Sequence, residues 1–132
     1  MVSLSWCGAL AWRMRQQLLD PVGTESVAGV VRRLGAVPAL PDAAAELAVC
    51  ARRERSRLGE VARALAEGRI IKTFAFRGAT HLVTPEDGGA YLALRAASRM
   101  WELPSWQSCY GLTPSDWPLL GKLSARRWPA GR

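Results

Sequence analysis

Of 132 residues only three are cysteine and one is histidine. Cys7, Cys50 and Cys109 are odd in number, far apart and in no Cys-x-x-Cys arrangement, so a disulfide framework is not expected, and His81 alone cannot complete a common zinc set. The three thiols read as reduced, small, buried hydrophobes. No run of about 18 apolar residues is present, which leaves no candidate membrane span. Met1–Leu10 is apolar but has no basic leader and soon meets Arg13 and Arg15, so it reads as an amphipathic helix rather than a secretory signal, and a cytoplasmic location is the expectation. Twelve Gly and 8 Pro are ordinary amounts and exclude collagen-like and low-complexity classes.

Acid is also in short supply. Lys+Arg number 18 against Asp+Glu 11, a net charge of +7, while 49% hydrophobic residues suffice for the core of about one domain. The excess is local. From Ala51 to Arg77 stand eight cations (Arg52, Arg53, Arg55, Arg57, Arg63, Arg69, Lys72, Arg77) against Glu54, Glu60 and Glu67, a balance of +5, and Lys122–Arg132 adds +4 with no acid. Such a cluster either neutralises phosphates, releasing their counterions, or is a solvated face.

Leu4, Cys7, Leu10, Ala11, Met14 and Leu18 recur at three- and four-residue spacing, which predicts a helix burying them and turning Arg13, Gln16 and Gln17 outward. Asp20-Pro21-Val22-Gly23 ends it. Thr24 is placed to cap a second helix, with the stripe Val27, Val30, Val31 and Leu34, closed by Gly35. Val37-Pro38-Ala39-Leu40-Pro41 leads to a third helix capped by Asp42, with Ala44, Leu47, Ala48 and Ala51 inward. A fourth buries Leu58, Val61, Ala62 and Leu65 and stops at Gly68. The period then changes: Ile70–Phe76, the turn Arg77-Gly78 and the return Ala79–Val83 predict a β-hairpin. Thr84-Pro85-Glu86-Asp87 has a capping hydroxyl, proline in the first turn and acids at the positive helix end, and opens a helix to about Trp101. Thr113-Pro114-Ser115-Asp116 repeats that signature before Trp117, with little chain left for the helix it starts.

The fold class expected is mainly α with a β-hairpin: a winged helix-turn-helix with an N-terminal helix and a C-terminal helical extension. In that topology the helix before the hairpin enters the major groove and the hairpin touches the backbone or minor groove. Arg57, Arg63, Arg69, Lys72, Arg77 and His81 fall on those elements and are the candidate DNA-binding residues, with double-stranded DNA as partner.

Leu4-Ser5-Trp6 with Leu10-Ala11-Trp12-Arg13, then Leu34-Gly35-Ala36-Val37, Arg77-Gly78-Ala79-Thr80-His81-Leu82, and Pro104-Ser105-Trp106 with Tyr110-Gly111-Leu112 resemble, in this order, the AlkZ-like winged-helix DNA glycosylases. The resemblance spans Leu4 to about Gly121. It implies tandem winged helices followed by a β-barrel, action on alkylated or crosslinked bases, and no metal or organic cofactor. The family's chemistry is carried by a Gln-aliphatic-Gln element that positions water and stabilises an oxocarbenium-like sugar. The matching stretch is Val37-Pro38-Ala39-Leu40, where Pro38 and Leu40 replace the polar pair and can do neither. Asp42 has two readings, a stand-in catalytic carboxylate or a helix N-cap.

His81 is read either as bonding within the hairpin or as touching a phosphate, and Arg77 as a DNA contact or a solvated turn cation. Trp6, Trp12 and Trp101 are expected in the core or at its edge, the alternative being an aromatic wedge in DNA. Residues 1–112 are expected to form the winged-helix domain with its flanking helices, and 113–132 the truncated start of a second. With GC-rich codons, the bases for Leu123–Arg132 read in a shifted frame as Val-Arg-Glu-Ala-Leu-Ala-Gly-Gly-Pro, the family-like continuation, so a frameshift near codon 122 is expected. Three functions compete: a DNA-binding module with impaired chemistry, a glycosylase with altered catalytic residues such as Asp42, and a protein interaction module that pairs as a homodimer through apolar surface.

Overall fold

The structure is a computed structural model that describes residues 5–127, without the side chains of Arg77 and residues 124–127. It is mainly helical, with one small sheet, and divides into two compact units, Met1–Leu92 and Ala93–Arg132.

In the first unit, α1 (Trp6–Gln16) starts where Ser5 Oγ accepts the Gly8 amide at 3.1 Å. α2 (Val27–Leu34) is capped by Ser26, two residues later than the Thr24 predicted, because the Ser26 hydroxyl accepts the Gly29 amide at 3.1 Å. Its stripe is as read: Val27, Val30 and Val31 are buried and Leu34 packs against them. Gly35, at φ 77, turns the chain into β1 (Val37–Pro38), a strand placed within the predicted connection. α3 (Asp42–Cys50) has Pro41 at its cap, so Asp42 is the first helical residue and caps nothing. Proline's fixed φ and extended ψ suit that position. α4 (Glu60–Ala66) leads through Gly68, at φ 69, to β2 (Ile71–Phe74), a 3-10 turn at Phe76–Gly78, and β3 (Thr80–Val83).

The sheet has the order β1-β3-β2, antiparallel throughout, with Val37 opposite Leu82 and Leu82 opposite Lys72. Val30, Val31, Val37, Ala45, Val49, Ala64, Ile70 and Leu82 close the core between α2, α3, α4 and one sheet face. The opposite side of the hairpin receives α5 (Pro85–Ala97): a methyl group on Gly88 would lie 2.6 Å from Ile71 Cδ1 and 3.2 Å from Val83 Cγ2. Thr84 opens α5 as predicted, its hydroxyl accepting the Asp87 amide at 3.3 Å. The helix ends at Ala97 rather than near Trp101, because Arg99 turns into the left-handed region at φ 47.

Three buried faces differ from expectation. α1 has no buried residue: Trp6 is 92% and Trp12 63% exposed, and Cys7 is exposed with them. Of its apolar stripe, Leu18, just past the helix end, packs against the core, while α1 itself stays outside because α2, α3 and α4 close against one another and the sheet. α3 buries Ala45 and Val49 instead of Ala44, Leu47 and Ala51, a rotation of about 100° for one residue of register. Four alanines, a valine and a leucine leave that helix little polar contrast to mark its inner face. Leu58, placed inward by the sequence, precedes α4 and is 82% exposed, and Ala62 is exposed, while Ala64 is buried. Cys50 is half-buried and Cys109 exposed, so the reading of three buried thiols is corrected.

The second unit continues from α5 into α6 (Pro104–Tyr110) and α7 (Trp117–Arg127). Thr113 and Asp116 form a reciprocal capping box, and the 3-10 turn Pro114–Asp116 feeds α7, which reaches eleven residues. None of the described side chains here is buried. Order comes from aromatic contacts: Trp101 lies against Trp117 at 6.0 Å, at the edge rather than inside, and Trp106 against Tyr110 at 4.9 Å. The frameshift expected for residues 123–132 concerns side chains that from position 124 lie outside the described residues. Among the described residues no helix is long and apolar enough to cross a membrane.

Candidate nucleic-acid interface

The basic cluster is less free than its sequence suggests. Lys72, on β2, puts Nζ 2.5 Å from Asp42 Oδ1. Arg69, just after Gly68, pairs with Glu67 at 2.6 Å, and Arg63, on the exposed side of α4, pairs with Glu60 at 3.3 Å. Arg57 is exposed in the turn before α4 and has no carboxylate partner among the described residues, though its amide donates to Glu60 Oε2 at 3.1 Å. Exposed ion pairs contribute only about 0–1 kcal/mol, so phosphates can compete for these cations. Arg77 has its backbone in the hairpin turn and its side chain outside the described residues.

His81 is buried at mid-sheet between Pro38 and Thr73. Its Nδ1 lies 2.9 Å from Ala79 O, the bond within the hairpin that the sequence allowed, and its ring meets Phe76 edge-on at 5.4 Å. Phe76 in turn meets Tyr91 of α5, whose hydroxyl donates to Gly35 O at 3.3 Å. These contacts join the hairpin, α5 and the turn before β1.

Glu60 organises the entrance to α4. The Arg57 amide and the Arg53 guanidinium, at 2.5 Å, with Arg63 beyond them, hold its carboxyl below the ordinary value of 4.5. A carboxyl depressed in the folded state contributes stability above its unfolded pKa and loses it as pH falls through the folded one. Urea midpoints should therefore drop as the pH falls below about 4.5. Glu60→Gln should start lower at neutral pH and drop less; an identical pH dependence in the two proteins would exclude this role.

The segment Val37–Leu40 alternates. Val37 and Ala39 are buried, Ala39 donating its amide to Thr80 O at 2.9 Å, whereas Pro38 is exposed and Leu40 is 80% exposed. Extended backbone thus presents positions 38 and 40 together on the outer side. A cleft of about 360 Å³ adjoins Pro38, lined also by Gln16, Gln17, Arg33 and Arg52. Arg33 holds Gln16 twice, Nε to the main-chain oxygen at 3.1 Å and Nη2 to Oε1 at 2.6 Å. Arg52 Nη1 donates to Ala48 O at 2.6 Å. Sequence reasoning named Gln16 and Gln17 only as outward-facing helix residues and Arg52 only in the charge count, and no spacing rule links positions 16 and 52.

The profile of the family described as "DNA glycosylase AlkZ-like" matches residues 31–128. An interstrand DNA cross-link repair glycosylase from Streptomyces sahachiroi is 40% identical over 110 residues, which cover 83% of this chain and 30% of that protein. The solved structure of the Streptomyces sahachiroi DNA glycosylase AlkZ superposes with a TM-score of 0.86 at 37% identity, over 94% of this chain and 33% of that one. The chain spans about a third of the length of these relatives. With the profile covering most of its length and the backbone superposing over nearly all of it, the chain belongs to the AlkZ-like DNA glycosylase family.

Proposed function

We propose that this protein is a duplex-DNA-binding module of the winged-helix kind in which base excision is impaired. The observation that carries the reading is the outward pair Pro38 and Leu40, at the positions where the family resemblance puts its polar catalytic residues. Neither side chain can accept a proton or hold a water for attack on a glycosidic bond. Binding is supported by the order α2, α3, α4, hairpin, by the exposed cations Arg57, Arg63, Arg69 and Lys72, and by membership of a family whose cited relatives are named for glycosylases that act on DNA. Arg77, at the hairpin turn, is proposed to join them.

Asp42 separates this reading from that of an altered glycosylase. Its carboxylate neutralises Lys72, so Asp42→Ala removes an acid and releases a cation beside the hairpin. Duplex affinity should rise roughly threefold, consistent with the modest energy of an exposed pair. Anisotropy titrations across salt, run beside a base-release assay on alkylated and crosslinked duplexes, check both. Release by the wild type that disappears in Asp42→Ala would overturn the impaired-chemistry reading. Dimerisation without DNA affinity would instead favour an interaction module, to which the exposed Trp6, Leu10 and Trp12 of α1 are suited.

A further inference from the structure

We infer that the cleft adjoining Pro38 is a phosphate-binding site, held by Arg33 and Arg52. Its lining contains no carboxylate. That sets it apart from the similar-sized cleft between Gly23 and Arg55, which is lined by Glu25 and Glu54 and whose Arg53 is already tied to Glu60. Elsewhere in the first unit Arg32, Arg53, Arg63, Arg69 and Lys72 each meet a carboxylate. Arg33 and Arg52 meet only neutral groups, an amide and main-chain carbonyls.

Donor capacity remains on both. A guanidinium has five N–H groups in a planar fork. Arg33 spends two of them on Gln16, and Arg52 spends one on Ala48 O while its Nε is buried without a partner. A buried, unpaired charged donor is costly unless an acceptor arrives, and a phosphate oxygen is the acceptor such forks match best. The carbonyls they cap belong to the last turns of α1 and α3, whose dipoles return only about half a charge each, so the cleft stays net positive. The carboxamide of Gln16, with Oε1 held by Arg33, keeps its Nε2 as a further donor.

That a nucleic-acid backbone supplies this phosphate rests on the DNA-binding reading above; phosphate binding as such does not. The 132-residue protein is titrated with inorganic pyrophosphate by calorimetry and by NMR of the arginine Nε–Hε signals, and separately with duplex DNA. Pyrophosphate should saturate and move the Arg52 Nε signal. Arg33→Gln and Arg52→Gln should each weaken it about tenfold, Arg52→Lys should keep most of the affinity, and Arg99→Gln should change nothing. On DNA, Arg52→Gln should lower the salt slope by about one.

No saturable pyrophosphate binding, or equal binding by the double Arg33→Gln, Arg52→Gln variant, overturns the site. If the wild type and that double variant bind DNA with the same affinity and salt slope, the backbone is not the source, while the DNA-binding reading survives. If the wild type binds no DNA at low salt, that reading fails, and the pyrophosphate titration alone decides the cleft. The Arg52→Lys variant and a dispersed amide spectrum distinguish lost phosphate contacts from lost folding.

Discussion

Leu82→Ala is expected to cost about 3 kcal/mol of folding free energy, within the range for emptying a buried leucine site. Leu82 occupies the central strand, paired with Val37 on one side and Lys72 on the other, and is 1% exposed. Its side chain belongs to the cluster in which α2, α3 and α4 meet the sheet. The hole cannot collapse cheaply, because β3 is hydrogen-bonded on both edges and cannot move towards the helices without breaking a ladder. Domains of this size have about 5–15 kcal/mol in total, so the loss is a large share. A urea titration should show a lower midpoint with an unchanged slope, and a melt should fall by roughly 10 °C. A loss under about 1 kcal/mol would mean that the three-stranded sheet is not part of the cooperative core.

The adjacent glycines of α5 should respond in opposite directions. Glycine inside a helix is disfavoured by about 1 kcal/mol relative to alanine, so either position is a naive candidate for stabilisation. At Gly89 nothing lies within 4 Å of an added methyl, and Gly89→Ala should gain up to about 1 kcal/mol. At Gly88 the same methyl would sit 2.6 Å from Ile71 Cδ1 and 3.2 Å from Val83 Cγ2. A branched side chain there cannot be absorbed by one isoleucine rotamer, and Gly88→Val should cost about 2–3 kcal/mol through overpacking. It should also disturb the Phe76 contacts with His81 and Tyr91, which near-UV circular dichroism would register. Equal effects at the two positions would mean that α5 does not rest on Ile71 and Val83.

The Gly88 contact bears on function because it braces the hairpin. With α5 on one side of the sheet and the helical core on the other, β2 and β3 form a braced platform that holds Lys72 and the turn at Phe76–Gly78. DNA binding by such a hairpin would meet little ordering cost, since its backbone is already arranged. The cleft adjoining Pro38 draws on different elements, the end of α1 and parts of α2 and α3. On the proposed reading a duplex would meet two cationic surfaces, and their salt slopes can be measured separately by substitution.

Local chemistry made much of this legible from residues alone. The valines of α2 recur with helical period and contrast with Arg32 and Arg33, so the inner face is unambiguous. Ile70–Val83 announces itself through β-branched and aromatic residues around a glycine turn, and Thr84-Pro85 through a hydroxyl and a ring that suit a helix start. The departure at Pro38 and Leu40 was visible too, since a missing polar side chain needs no structure to be noticed.

Tertiary packing decided the rest, because each remaining feature depends on groups distant in sequence. Amphipathicity says that α1 has an apolar face but not whether a core will receive it. An alanine-rich α3 offers little contrast, so the close approach of its neighbours chose Ala45 and Val49. A two-residue β1 has no period to detect and exists through its pairing with β3. Lys72 reads as a free cation until Asp42, thirty residues earlier, closes on it. Arg33 and Arg52 read as two charges among eighteen until the fold places them in one cleft with no carboxylate in its lining. Sequence by itself determined which residues could form elements and which side chains stand at positions 38 and 40; tertiary structure decided which charges are neutralised, because neutralisation depends on distance through space.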